Sequence, residues 1–209
     1  MKNYLNPTLL IFFVLLVDQV SKIWIKLNMT LGQEFHVIGD WFIIHFTENN
    51  GMAFGMEFGG EVGKLALSLF RIVAVIGIGY GIHYMIKNNY HKGFILCVSL
   101  IFAGAMGNIL DSAFYGVLFS ESTWFSTAEF LPADGGYSSF LHGKVVDMLY
   151  FPLISGTFPS WLPFRGGEEF LFFRPVFNIA DTAITLGVIL ILLNQNRYLK
   201  EDVQEPEMA

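Results

Sequence analysis

Four carboxylates stand inside or beside long apolar runs of this chain: Asp18, Asp111, Asp147 and Asp181. An aspartate at the centre of a membrane helix costs roughly 2.5 to 3.5 kcal/mol on insertion scales, so such groups are rare and usually have a role. Asp181 follows Asn178 by three positions, at the start of the last apolar run, Val176 to Leu193. Asp18 precedes Lys22 by four, the spacing of neighbours on one helix face. Asn108 and Asp111 are three apart, and Asp147 is embedded in Val145-Val146-Asp147-Met148-Leu149-Tyr150, where desolvation raises a carboxyl pKa. Two carboxylates held together cannot both ionise easily, so they share a proton. The ionised member can draw a proton from water, and the protonated member can polarise a peptide carbonyl and support departure of the amine. No Ser-His-Asp or Cys-His arrangement competes for the chemistry, and Ser21 beside Lys22 suits ion pairing better than a serine–lysine dyad. Each feature also has a plainer reading. Asp18 and Lys22 can be a stabilising pair, Asn49 a turn residue, Asp111 a helix-end acid, and Gly104 and Gly107 packing residues.

The elements that must position these groups follow from composition. Of 209 residues, 54% are hydrophobic and 14% charged, and the mean hydropathy is +0.52. Soluble domains carry about 25% charged residues, so an integral membrane protein is expected, as one domain over 1–209. The expected class is an all-α membrane protein. It has four transmembrane helices, a small extracytoplasmic β-cradle and a long extracytoplasmic loop insertion before the last helix. The apolar runs place the spans at about 8–26, 65–86, 93–111 and 176–194, with extracytoplasmic segments 27–64 and 112–175. Trp41-Phe42-Ile43-Ile44-His45-Phe46-Thr47 reads as a strand, and Asn49-Asn50-Gly51 as a turn. Arg71, near the start of the second span, reads as a side chain that snorkels. Cys97 is the single cysteine and reads as a small core residue. The net charge of −6 gives no reason to expect a nucleic-acid partner, and no His/Cys cluster has zinc-ligand spacing.

Four spans put both termini on one side, and Lys2, Lys87, Lys92, Arg197 and Lys200 mark that side as cytoplasmic. At about 1.5 Å per residue, Asp18 lies about 15 Å from Thr8, Asn108 about 22 Å from Gly93, and Asp181 about 7 Å from Val176. All fall in the middle or outer half of a hydrocarbon core about 30 Å thick. Agreement in depth favours one polar site. It argues against the alternative reading, a small proton-coupled membrane transporter, which would also show an inverted repeat. A structural or assembly factor is a third reading.

Five short blocks in order resemble the bacterial lipoprotein signal peptidases (signal peptidase II). They are Asp18-Gln19-Val20-Ser21-Lys22, Asn49-Asn50-Gly51-Met52-Ala53-Phe54, Gly104-Ala105-Met106-Gly107-Asn108-Ile109-Leu110-Asp111, Val145-Val146-Asp147 and Phe177-Asn178-Ile179-Ala180-Asp181. The resemblance implies an intramembrane aspartyl endopeptidase of the bacterial inner membrane, working towards its outer face. It would cleave prolipoproteins immediately before a diacylglyceryl-modified cysteine. By motif position Asp147 and Asp181 would be the catalytic pair. Asp18, Lys22, Asn49, Gly51, Asn108, Asp111 and Asn178 would shape the pocket and bind substrate. The resemblance implies no metal or organic cofactor. The implied partners are lipid-modified prolipoproteins, membrane lipids and cyclic peptide inhibitors of the globomycin type, acting on a monomer. One departure stands out: the family pattern usually continues from Asp111 with arginine, and Ser112 stands there. Arg165 or Arg174 is a candidate to replace that charge. The long connections on either side of Asp147 are expected to form an extra element such as a lid.

Overall fold

The computed structural model describes residues 4–50, 60–152, 154–172 and 175–198. Helix α1 (Leu5–Asn28) leads into β1 (Glu34–Ile38) and β2 (Phe42–Asn49). Helix α2 (Gly60–Lys87) and helix α3 (Lys92–Leu110) form an antiparallel hairpin. Helix α3 continues through a π turn, Asp111–Tyr115, and the single turn α4 (Gly116–Leu118). Next come β3 (Val145–Tyr150), the hairpin β4 (Ile154–Thr157) and β5 (Glu169–Phe172), the two-residue β6 (Val176–Phe177) and α5 (Ile179–Tyr198). Among the described residues four helices are long and apolar enough to cross a membrane: Leu5–Asn28, Val62–Lys87, Lys92–Leu118 and Ile179–Tyr198.

The expected small sheet is present and uses more than the one strand read over 41–47. Its order is β1-β2-β3-β6, every pair antiparallel, and β4 and β5 form a separate two-stranded sheet. The last helix starts later than its apolar run, because Val176 and Phe177 pair with Tyr150 and Leu149 of β3. Asp181 is therefore the third residue of α5, nearer its end than the apolar run suggests. Between Ile44 and Thr47 the register of β2 against β3 shifts, a bulge that re-aims the end of β2. The long loop after α4 is tied down: Leu31 N–H donates to the Thr123 carbonyl and Ala128 N–H to that of Lys26, at 2.9 and 3.0 Å. Gly32 sits at φ +74°, and a Cβ there would enter the Trp124 ring. A core of Ile25, Met29, Phe46, Tyr115, Phe119, Val146 and Met148 joins α1, the sheet and this loop.

Helices α3 and α5 meet across small residues, as membrane helices do when backbones approach closely. A Cβ on Gly104 would collide with the Ala180 carbonyl oxygen and lie 2.7 Å from Ile184 Cγ1. One on Gly107 would lie 2.7 Å from Asp18 Oδ2. This close approach brings Asn108 against Asp181. Gly104→Ala is expected to destabilise the protein by about 1–3 kcal/mol, the usual cost of overpacking. Gly77→Ala, where a Cβ meets nothing within 4 Å, should leave stability unchanged or slightly raised. Thermal unfolding of both variants in detergent checks the pair.

Candidate active site

The site floor is ionic. Lys22 Nζ lies 2.9 Å from Asp18 Oδ2, 2.8 Å from Asp111 Oδ2 and 3.1 Å from Asn108 Oδ1. The ammonium thus places all three of its donors. Asp18, Lys22 and Asp111 are fully buried, where an unpaired charge would be prohibitive. The remaining carboxylate valences are also filled. Asp18 Oδ1 accepts the Ala180 N–H at 2.8 Å, Asp111 Oδ2 the Val146 N–H at 3.3 Å, and Asp111 Oδ1 the Gln19 amide at 2.9 Å. Three separate elements, α1, α5 and β3, are therefore held at one level by two carboxylates and one ammonium.

Above that floor, Asn178 organises the two other aspartates. It precedes α5 and caps it: the Asp181 N–H donates to Asn178 Oδ1 at 2.9 Å, and the Asn178 N–H donates to Asp181 Oδ2 at 3.4 Å. This is the reciprocal geometry of a capping box, with Asn and Asp in place of Ser and Glu. The amide of Asn178 turns the other way and donates to Asp147 Oδ1 at 2.8 Å. Asp147 Oδ2 accepts from the Asn49 side chain. Asn49 pairs with Val145 and Thr47 with Asp147, so the contact is a diagonal one across two strands. Asn108 donates to Asp181 Oδ1 at 2.8 Å and accepts from Asn178 at 3.1 Å. Burial first, and the nearby charge of Asp181 second, push the Asp147 carboxyl up to about 7; Lys22, Asn49 and Asn178 pull the other way.

The structure brings together eight of the nine residues singled out by sequence, Asp18, Lys22, Asn49, Asn108, Asp111, Asp147, Asn178 and Asp181; Gly51 lies outside the described residues. Asp111 is no interfacial helix-end acid, because Lys22, Gln19 and Val146 enclose it. Ser112 does not stand in for an arginine: its hydroxyl donates to the Asn108 carbonyl at 3.1 Å. Arg165 is exposed in the turn between β4 and β5, and Arg174 lies outside the described residues. Two side chains were not read as part of this region. Lys26 extends the α1 stripe to i, i+4, i+8. Its ammonium, fully buried, contacts Glu48 Oε1 at 2.5 Å and Ser122 Oγ at 3.0 Å. Glu48 adjoins Asn49, so this pair pins the end of β2 that reaches Asp147. Arg71 is half-buried on α2, with Asp181 and Asp111 as electrostatic partners. Helical spacing from Asp18 and Lys22 pointed to Lys26; the apolar run around Arg71 concealed its direction.

An apolar groove of about 590 Å³, lined by Leu16, Val17, Val20, Trp24, Ile44 and Met148 among others, opens between α1 and the sheet. Alternation along β3 turns Met148 to this side and Asp147 to the other, so the groove and the aspartate pair are separate.

Removing the central cation should expose how the floor is held. Lys22→Met leaves Asp18 and Asp111 buried without it, and a loss of about 3–5 kcal/mol is expected. The double variant Lys22→Met/Asp111→Asn should lose less than the single one. Unfolding temperatures in detergent provide the comparison.

Known proteins resemble this chain in sequence and fold. A family model described as signal peptidase (SPase) II matches residues 10–197. The lipoprotein signal peptidase of Porphyromonas gingivalis is 56% identical over 185 residues, covering 88% of this chain and 80% of that protein. That of Amoebophilus asiaticus is 38% identical over 194 residues, covering 91% and 78%. Among solved structures, a bacterial membrane enzyme determined by the in meso method at 2.3 Å resolution aligns with a TM-score of 0.61. It is 25% identical, and the alignment covers 98% of this chain and 96% of that one. The transporter expectation finds no support in these matches. With four apolar helices and this match over most of its length, the chain is a multi-pass membrane protein that belongs to the signal peptidase II family.

Proposed function

We propose that this protein is an intramembrane aspartyl endopeptidase. It removes signal peptides from prolipoproteins by cutting before a diacylglyceryl-modified cysteine. The observation that carries the reading is the Asp147–Asn178–Asp181 bridge, in which one buried amide bonds Asp147 at 2.8 Å while its residue caps the helix bearing Asp181. In this reading Asp147 keeps the shared proton at neutral pH, consistent with a carboxyl pushed up to about 7. Asp181, at the positive end of α5, is the partner that acts as base. Asp181 takes a proton from water as its oxygen attacks the scissile carbonyl carbon, and Asp147 gives its proton to the carbonyl oxygen. Collapse of the tetrahedral intermediate breaks the C–N bond: the amine leaves with the proton Asp181 took from water, and the hydroxyl formed from the carbonyl returns its proton to Asp147. Asn49, Asn108 and Asn178 orient the pair, and Asp18, Lys22 and Asp111 hold their level; Gly51 is proposed to border the substrate.

In the same reading the chain forms one membrane domain of the bacterial inner membrane and works as a monomer. The sheet and the segments 27–64 and 112–175 lie on the outer side, and β4–β5 forms part of the extra element there. Cyclic peptides of the globomycin type would occupy the space over the aspartate pair. Substrates are distinguished by their lipidated cysteine, and the chemistry needs only the pair and water.

Cleavage of a diacylglyceryl-modified prolipoprotein by the purified protein in detergent tests this. Asp147→Asn and Asp181→Asn each keep the shape and remove a titrating carboxyl, and each is expected to lower kcat by 10³-fold or more, on the order of a lost acid or base. A folded variant with full activity would remove that aspartate from the pair. The sign of the pH dependence follows from the raised carboxyl. Asp147 stays protonated up to about 7, so kcat/KM should fall as pH rises above that value. The apparent pKa belongs to the coupled pair.

A further inference from the structure

The polar cluster carries more negative than positive charge, and besides Lys22 and the neighbouring Lys26–Glu48 pair a further cation comes from a helix with no assigned role. Asp18 and Lys22 face it from α1, Asp111 from the π turn, Asp147 from β3, Asp181 from α5, and Arg71 from α2. Lys22 is held between Asp18 and Asp111. With all four carboxylates ionised those three residues and the aspartate pair sum to three negative charges. Arg71 lowers that to two, and a proton shared by Asp147 and Asp181 lowers it to one.

The placement of Arg71 is built into α2. Lys64, Ser68, Arg71 and Val75 form one stripe along the helix. Lys64 Nζ donates to Asn50 Oδ1 at 2.9 Å, beside Asn49. Ser68 Oγ donates to the Leu141 carbonyl at 3.1 Å, and Ser68 and Val75 are buried. The opposite face, with Phe70, Val73, Ile76 and Tyr80, is exposed apolar surface. Arg71 therefore points towards the protein's interior rather than along the outward face a snorkelling side chain would follow. Its height also matches. Arg71 stands sixteen positions from Lys87 and Asn108 sixteen from Lys92, on the two arms of one hairpin, about 24 Å along each helix. The contact that a Cβ on Gly79 would make with the Phe102 ring, at 3.1 Å, shows the two arms packed together lower down. Asn108 is the residue that donates to Asp181. Asp181 and Asp111 are within electrostatic reach of the guanidinium.

We propose that Arg71 is a positioning residue for the reaction. Its charge, set level with Asn108, keeps the aspartate pair in the singly protonated form that proteolysis requires. This rests on the reading of Asp147 and Asp181 as the catalytic pair. The guanidinium takes no part in bond making; it sets which pH range holds one proton on the pair.

The test is the pH dependence of kcat/KM with a lipidated prolipoprotein substrate, for the parent, Arg71→Lys and Arg71→Gln. Loss of the cation makes both protons harder to remove. Arg71→Gln should therefore move both limbs to higher pH by about one unit and lower activity about tenfold on the acid limb. Arg71→Lys should keep the parent's limbs. A role in folding alone would scale the rate at every pH and leave the limbs in place, and a folded Arg71→Gln with the parent's limbs overturns the proposal. If Arg71→Gln does not fold, Arg71→Met carries the same test: a folded enzyme with both limbs raised supports the role of charge, and one with the parent's limbs overturns it. Asp147→Asn and Asp181→Asn are run beside these. If either keeps full activity, the catalytic-pair reading fails, a result distinct from any behaviour of Arg71.

Discussion

The structure depends on one ammonium group in a place that excludes water. Lys22 bonds Asp18 on its own helix, Asp111 at the end of α3 and Asn108 one turn earlier. Each of those partners holds something else. Asp18 holds the first turn of α5 through Ala180, Asp111 holds β3 through Val146, and Asn108 reaches Asp181. A buried charge with unfilled valences costs more than most folds can tolerate, so this geometry has few alternatives. The same interaction that makes α1, α3, α5 and the sheet mutually dependent also fixes the level at which two further carboxylates meet.

Asn178 and Asp181 show how little extra structure the site requires. A helix start must satisfy free N–H groups, and a reciprocal cap does so with the side chains of these two residues. Asn178 then has its amide left to bond Asp147, while Asp181 has Oδ1 left for Asn108. The cap is a complete explanation of why these residues stand at a helix start. The proximity of a second buried carboxylate is what the cap alone does not require. Small residues supply the remaining condition, since Gly104 and Gly107 let α3 lie against Ala180 closely enough for the amides to reach.

A second buried cation plays a different part. Lys26 and Glu48, with Ser122, bind the end of α1 to the end of β2 and to the loop that follows α4. Glu48 Oε2 is buried with no hydrogen bond among the described residues, 3.9 Å from Lys144 Nζ. The loop is thereby an anchored part of the fold, and Asn49, the next residue, gains a fixed approach to Asp147.

Much of the fold was legible in the sequence, because a membrane helix is written as a long apolar run and the acids that interrupt such a run are costly enough to mean something. The spacing of Asp18 and Lys22, and of Asn108 and Asp111, follows from helical geometry alone, and so did the matching depth of groups on three spans. What tertiary structure decided was partnership. Spacing does not say that Lys22 also serves Asp111 from a distant helix, or that Asn178 turns its amide to Asp147 across a strand. Val176 and Phe177 read as the start of a span, yet β3 claims them, because a free strand edge offers backbone hydrogen bonds that an apolar pattern does not encode. Arg71 read as a side chain rising to the membrane surface, since one charge in an apolar run has no direction. Its direction comes from the rotation of α2, set by Ser68 against Leu141 and by the packing of the α2–α3 hairpin. Local periodicity determines which residues share a face; only the packed neighbours determine what that face meets.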